Sequence, residues 1–280
     1  MITTDWRKGN GFFFDDQTFA IGDVHGQAEA LGVLLDHLHG LPAPMSCVTK
    51  TREMVFLGDL IDRGPDSIGS VAHAFACFDR FDRVHLLPGN HELMLLSAMN
   101  GNARAKALWA RNGGMAMVQE VDPQGLLGLD EAIAALRARL PTAWTAIYGH
   151  GPTHLRRGTL GDVLFVHAGI NPEWHLDTFL ELPRFAIDDN HWAWMRQPFL
   201  SWEGGWGHMG LNLVVHGHSP ATVKPIGTRA LLLRLLDSTD HFACICLDAG
   251  SLRLPQVAAV EFAGENFRLH LVAAPETSLS

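Results

Sequence analysis

Three short segments of this chain set a turn-forming glycine beside carboxylate, amide or imidazole side chains. They are Gly22-Asp23-Val24-His25-Gly26, Gly58-Asp59-Leu60-Ile61-Asp62-Arg63-Gly64 and Gly89-Asn90-His91-Glu92. Asp23 and His25, two residues apart, can aim an oxygen and a nitrogen at one cation. Asp59 offers two oxygens with which to bridge two cations, and Asn90 adds a neutral amide oxygen. Taken singly, such an Asp or Asn is usually a loop cap, but three in succession point to a pair of metal ions. Two further glycine loops can complete the set: Phe165-Val166-His167-Ala168-Gly169 and Val214-Val215-His216-Gly217-His218. His216 and His218 share one face by alternation, and spacing does not choose between them. Arg63 has no lone pair for a cation, but its planar fork suits phosphate oxygens. Asp62 can orient an imidazole, with His91 as the natural partner, and an Asp-His pair beside a phosphate suits a general acid and its orienter. The alternative for Asp62-Arg63 is a surface ion pair of little consequence.

An apolar run precedes each of the first three segments: Phe19-Ala20-Ile21, Val55-Phe56-Leu57 and Val84-His85-Leu86-Leu87. Each pattern predicts a buried strand opening into a loop, and in open α/β sheets that end is where ligands bind. Helical spacing is expected over 27–40, 67–78 and 91–99, so the opening third repeats strand, loop and helix and predicts parallel pairing. The middle is expected to be helical over 104–109 and 130–140, with a turn at Asn112-Gly113-Gly114. Strands are expected over 163–166, 211–215, 244–247, 256–262 and 267–272, with antiparallel pairing at the end. Together these elements fit an α/β fold of two packed sheets flanked by helices. No linker or repeat divides residues 1–280, which predicts a single domain.

Apolar residues make up 47% of the 280 and charged residues 18%, enough for a large core and too apolar for disorder. No run approaches 18 apolar residues and residues 1–10 lack a signal core, which leads to a cytoplasmic expectation with no membrane partner. The net charge of −9 argues against coating nucleic acid, and a DNA nuclease is the least favoured enzyme class. Bound divalent cations would still let the site accept an anion. Carboxylate, amide and imidazole donors without thiolate suit Mn²⁺, Fe or Zn²⁺, with Mn²⁺ expected to support activity. Cys244 and Cys246 are expected to be buried free thiols.

In motif order and interval the chain resembles the phosphoprotein-phosphatase branch of the calcineurin-like metallophosphoesterases. GDxHG, GDxxDRG and GNHE begin intact at Gly22, Gly58 and Gly89, and the HAG at His167, the GHSP ending at Pro220 and Asp248-Ala249-Gly250 extend the likeness over about residues 18–251. The resemblance implies a four-layer αββα sandwich of two mixed sheets with a binuclear centre. It implies Asp23, His25 and Asp59 on one ion, and Asp59, Asn90, His167 and His218 on the other. His91 would be the acid, Asp62 its orienter, and Arg63 the phosphate grip, with Arg196 as a second phosphate-binding arginine. His216 is expected to stand behind the ligands. Hydrolysis would use a hydroxide bridging the ions.

The expected substrate is a phosphoserine or phosphothreonine protein, because the DRG and GNHE motifs are complete. The alternative is a symmetrical diadenosine tetraphosphatase or other nucleotide hydrolase, and a metal-binding regulatory module without turnover is a third possibility. Three features depart from the pattern. Asp248-Ala249-Gly250-Ser251 replaces the usual Asp-Thr-Gly, the tail lacks the glycine and tryptophan run of the tetraphosphatases, and Tyr148 is the only tyrosine. The Trp192–Trp206 segment is expected to pack as a hydrophobic lid.

Overall fold

Leu31, Leu34, Leu35 and Leu38 recur at helical spacing, and all four are buried on one face of the first helix in a computed structural model of the protein. The structure describes residues 1–221, 231, 234, 235 and 243–273, so part of the single domain expected over 1–280 lies outside the described residues. Two short strands, β1 (Ile2–Thr3) and β2 (Arg7–Lys8), precede β3 (Phe14–Ile21). Strand and helix then alternate through α1 (Ala28–Gly40), β4 (Arg52–Phe56), α2 (Ser67–Ala76), β5 (Arg83–Leu86) and α3 (Asn90–Met99). β3, β4 and β5 pair in parallel, as the repeated strand-loop-helix pattern requires.

The middle contains α4 (Ala103–Trp109), α5 (Met115–Val121), α6 (Leu129–Arg139) and α7 (Trp144–His150). Asn112-Gly113-Gly114 forms the expected turn. Gly113, at φ 113°, leaves helical space and kinks the chain between α4 and α5. Glycine takes that conformation at little steric cost, which is why the break falls there. α7 carries no strong sequence signal; its seven residues are held by the buried Trp144 and Tyr148.

The remaining elements are β6 (His154–Arg157), β7 (Val163–Val166), α8 (Leu176–Leu180), β8 (Leu213–His216), β9 (Cys244–Cys246), β10 (Val257–Gly264) and β11 (Asn266–Val272). Among the described residues one sheet runs β1-β11-β10-β3-β4-β5 with β2 also on β11, and the other runs β6-β7-β8-β9. Only part of the late chain is antiparallel. β10 and β11 form a hairpin on the first sheet, whereas β7, β8 and β9 pair in parallel. The long connections between β7, β8 and β9 permit crossovers, and a hairpin turn permits only the antiparallel arrangement.

Alternation divides the core into three strata. Ala20, Val55, Val260 and Leu269 of the first sheet meet Val163, Phe165, Val215 and Ile245 of the second. Phe19, Ile21, Met54 and Phe56 face the helices α1 to α7. Leu164, Val166 and Val214 face α8 and the segment holding Trp192, Phe199 and Trp206. The result is four layers, and the tryptophan segment is packed cover. The sheets are also tied by charge. Glu53 on β4 is fully buried and accepts from Arg157 Nη2 on β6 at 2.7 Å, with His85 Nε2 on β5 at 2.9 Å.

Candidate metal centre

The carboxyl ends of β3, β4 and β5 are bound to one another by backbone. Val24 and His25 donate to Asp59 O at 3.0 and 2.9 Å, and Gly26 donates to Leu60 O at 2.9 Å. Glu92, buried in the first turn of α3, accepts from Asp59 N and Leu60 N at 2.8 Å and from Gly89 N at 3.0 Å. This is the reach of a capping-box glutamate, here extended to the neighbouring loop. Six non-glycine residues among those described have left-handed φ, and five are His25, Asp59, Asp62, Arg63 and His218. Such conformations cost about 1 kcal/mol or more each and persist where surroundings enforce them.

Glycines let these loops touch. A methyl group on Gly89 would collide with Asp59 Oδ1 and its backbone N, and one on Gly217 would collide with Asp23 Oδ1. Gly89 itself has an ordinary φ of −88°, so contact alone forbids a side chain. Gly89→Ala is therefore expected to displace Asp59 and weaken Mn²⁺ binding by at least about tenfold, measured by calorimetry. Unchanged affinity would show that Asp59 is not held there by close approach.

The acceptor atoms fall into two groups that share Asp59. His25, Asp59 and His91 form one cluster of ligand atoms, and Asp59, His167 and His218 form the other, all five residues buried. Asp59 Oδ2 lies 3.7 Å from His25 Nε2 and 3.5 Å from His167 Nε2. Asp23 Oδ2 is 3.8 Å from His25 Nε2, which keeps it beside the first cluster. Asn90 Oδ1 sits between His167 Nε2 at 3.1 Å and His218 Nδ1 at 2.9 Å. His25 Nδ1 and His167 Nδ1 each lie 3.0 Å from a backbone carbonyl, of Ile61 and Leu57. Donation there leaves both Nε2 lone pairs facing the site, the arrangement metal-binding imidazoles use. Arg63 Nη1 at 3.0 Å already supplies a cationic donor to His25 Nε2.

The electrostatics fit divalent cations. Burial, then the charges of Asp248 and Asp59, pushes Asp23 well above the usual carboxylate range. Burial likewise raises Asp62 strongly, Glu92 to about 7 and Asp248 to about 6. Asp59 differs: burial pushes it up, but the charges of His167 and His91 outweigh that and hold it well below. His167 is correspondingly raised, Asp59 overcoming the effect of burial. Four acids stranded by desolvation and mutual repulsion are what bound cations would relieve.

His91 Nδ1 lies 2.7 Å from Asp62 Oδ2, both residues fully buried, and His91 Nε2 has no hydrogen-bond partner among the described residues. Arg63 is braced by Gly113 O, which accepts from its backbone N at 3.1 Å, and by Asn112 O, which accepts from Nε at 3.1 Å. Arg196 is exposed, its guanidinium makes no hydrogen bond or ion pair among the described residues, and it lies close enough for its charge to help hold His218 down. His216 stays out of the ligand clusters: its Nδ1 faces Gly217 O at 3.0 Å and its ring meets Phe199 edge-on. The left-handed turn at His218, φ 63°, is what sends the second imidazole into the site.

A model of the calcineurin-like phosphoesterases matches residues 18–235, most of the chain and every loop just described up to His218. The chain belongs to the calcineurin-like phosphoesterase family. Among curated relatives, an enzyme of Janthinobacterium sp. named symmetrical bis(5'-nucleosyl)-tetraphosphatase is 30% identical over 167 residues, 60% of this chain and 48% of that one. One of the same name from Acidovorax sp. is 31% identical over 160 residues, 56% of this chain and 45% of that one. The chain thus spans about half the length of the curated relatives it matches. In fold, the chain resembles a solved structure provisionally named a diadenosine tetraphosphatase, with a TM-score of 0.50, 18% identity and 96% coverage of each chain. It also resembles a protein serine/threonine phosphatase from Saccharomyces cerevisiae, with a TM-score of 0.50 and 15% identity over 94% of this chain and 81% of that one.

Three roles at this site are absent from the sequence expectations. Glu92 binds the loops together, beyond burial the charge of Asp248 raises Asp23, and Trp109 Nε1 donates to Asp62 Oδ1 at 2.9 Å. Glu92 was within reach, since a glutamate three residues after a helix-capping glycine is a known signal. Asp248 is marked by its Asp-Ala-Gly motif, which assigns it no role, and Trp109 carries no local signal.

Proposed function

We propose that the chain is a metal-dependent phosphoester hydrolase working with two divalent ions, Mn²⁺ being the first choice and Fe or Zn²⁺ also suited to the donors. Asp23, His25 and Asp59 would hold one ion, and Asp59, Asn90, His167 and His218 the other. The observation that carries this proposal is the pair of clusters sharing Asp59, with His91 of the first one paired to the buried Asp62 and Arg63 against His25. Bound divalent ions supply a nucleophile at neutral pH and neutralise phosphate charge. The chain's own side chains do the rest. Arg63 would offer its fork to phosphate oxygens, and Arg196 would be the second arginine at the phosphate. Asp62 takes the Nδ1 side of His91 and turns Nε2 toward the site, where a proton can pass to the leaving oxygen.

Protein stripped by chelation is expected to be inert toward p-nitrophenyl phosphate and to recover on adding Mn²⁺. Bound metal without turnover for Mn²⁺, Fe and Zn²⁺ would overturn the hydrolase proposal in favour of a binding module.

For substrate, the complete His91–Asp62 pair favours a phosphomonoester of serine or threonine, whose alkoxide leaving group needs a proton. A second candidate, a dinucleoside polyphosphate split symmetrically, is favoured by the names of the relatives at about 30% identity. Parallel rates on a phosphoserine peptide and on diadenosine tetraphosphate separate them, a preference of more than about tenfold deciding the class.

A further inference from the structure

We propose that Trp109 is a positioning residue for the His91–Asp62 pair, holding the Asp62 carboxylate so that His91 keeps its aim at the leaving oxygen. The inference rests on the hydrolase proposal above. Both oxygens of Asp62 are engaged from opposite sides: Oδ1 accepts from Trp109 Nε1 at 2.9 Å, and Oδ2 faces His91 Nδ1 at 2.7 Å. Trp109, Asp62 and His91 are all fully buried, so water does not compete for these contacts. The Asp62 backbone is fixed as well, by a left-handed φ of 72° and by donation of its N–H to Ser67 Oγ at 3.0 Å.

The indole is held by the chain that follows it. Trp109 ends α4 and leads into the kinked turn Ala110–Gly114. Gly114 lies flush on the indole, and a methyl group there would strike Cδ2, Cε2 and Nε1. The adjoining Asn112 and Gly113 brace Arg63, so one five-residue turn supports both the acid pair and the phosphate grip. Burial alone does not demand this partner for a tryptophan here. Trp144 is equally buried, and its Nε1 has no partner among the described residues.

Without the indole donor, Asp62 can turn about its Cβ–Cγ bond and His91 loses its alignment. The cost should scale with how much the departing oxygen needs a proton. Phenyl phosphate needs it far more than p-nitrophenyl phosphate, whose nitrophenolate leaves readily.

The test compares Mn²⁺-loaded wild type, Trp109→Phe and Gly114→Ala on both esters, with bound Mn²⁺ measured on the same samples. Trp109→Phe keeps a ring and removes the N–H. Gly114 has ordinary helical angles, so Gly114→Ala keeps the indole and displaces it. In both variants kcat on phenyl phosphate is expected to fall about tenfold or more, while kcat on p-nitrophenyl phosphate stays within about threefold and KM and bound Mn²⁺ are unchanged. Equal losses on the two esters, no loss on phenyl phosphate, or a loss of Mn²⁺ matching the loss of rate would overturn the positioning role. A wild type inert on both esters would overturn the hydrolase proposal and this inference with it.

Discussion

Asp59→Ala should lower Mn²⁺-supported phosphoester hydrolysis by at least about 10²-fold and take bound metal with it. The expectation follows from how its two oxygens are used. Oδ1 accepts from the backbone N–H of His91 at 3.0 Å, which pins the carboxylate, and Oδ2 is left in the middle of the acceptor set. From there Oδ2 lies 3.5 Å from His167 Nε2, 3.7 Å from His25 Nε2 and 4.0 Å from His91 Nε2. No other described side chain belongs to both ligand clusters. Truncation therefore removes an oxygen from both at once and frees the start of α3. His91→Ala provides the contrast. On phenyl phosphate it should lose at least about 10² in rate through the missing acid while retaining its Mn²⁺. Metal analysis and rates on the same samples check both halves. Full activity in Asp59→Ala, or loss of metal in His91→Ala, would redraw the site.

Glu53→Gln should destabilise the fold by about 3 kcal/mol at pH 7, the second large effect. Burial alone would raise this carboxyl. Hydrogen bonds from His85 and Arg157 outweigh it and hold Glu53 at about 2 against an ordinary 4.5. A carboxylate with a depressed folded pKa contributes stability that is fully present above its unfolded value. That stability is lost as pH falls through the folded one. The urea midpoints of wild type and variant should thus differ most near neutrality and converge between about pH 4.5 and pH 2. A difference that persists undiminished at the acid end would mean that packing rather than charge carries the effect. The distance of the bridge from the candidate metal centre gives this prediction a separate use. Metal affinity in Glu53→Gln should match wild type wherever the variant is folded.

Much of the site was written in short stretches of sequence. Asp23 and His25, Asp59 with Asp62 and Arg63, and Asn90 with His91 are each set by one strand end and one turn. Neighbouring residues dictate that geometry through apolar runs, glycine and left-handed φ. The parallel first three strands followed for the same reason, since helical spacing between apolar runs is also local. Other contacts were illegible because they join positions far apart. Trp109 and Asp62 are 47 residues apart, and Arg157 and Glu53 are 104 apart. His216 and His218 were equivalent by alternation until the left-handed turn at His218 separated them. The late strands looked antiparallel because periodicity reports which face of a strand is apolar and says nothing of its neighbour's direction. Sequence by itself thus determined which donors exist and that each sits on a glycine-bounded loop at a strand end. Tertiary structure decided which donors meet, because closing the two sheets over one apolar core fixes every separation that the chain's local stereochemistry leaves free.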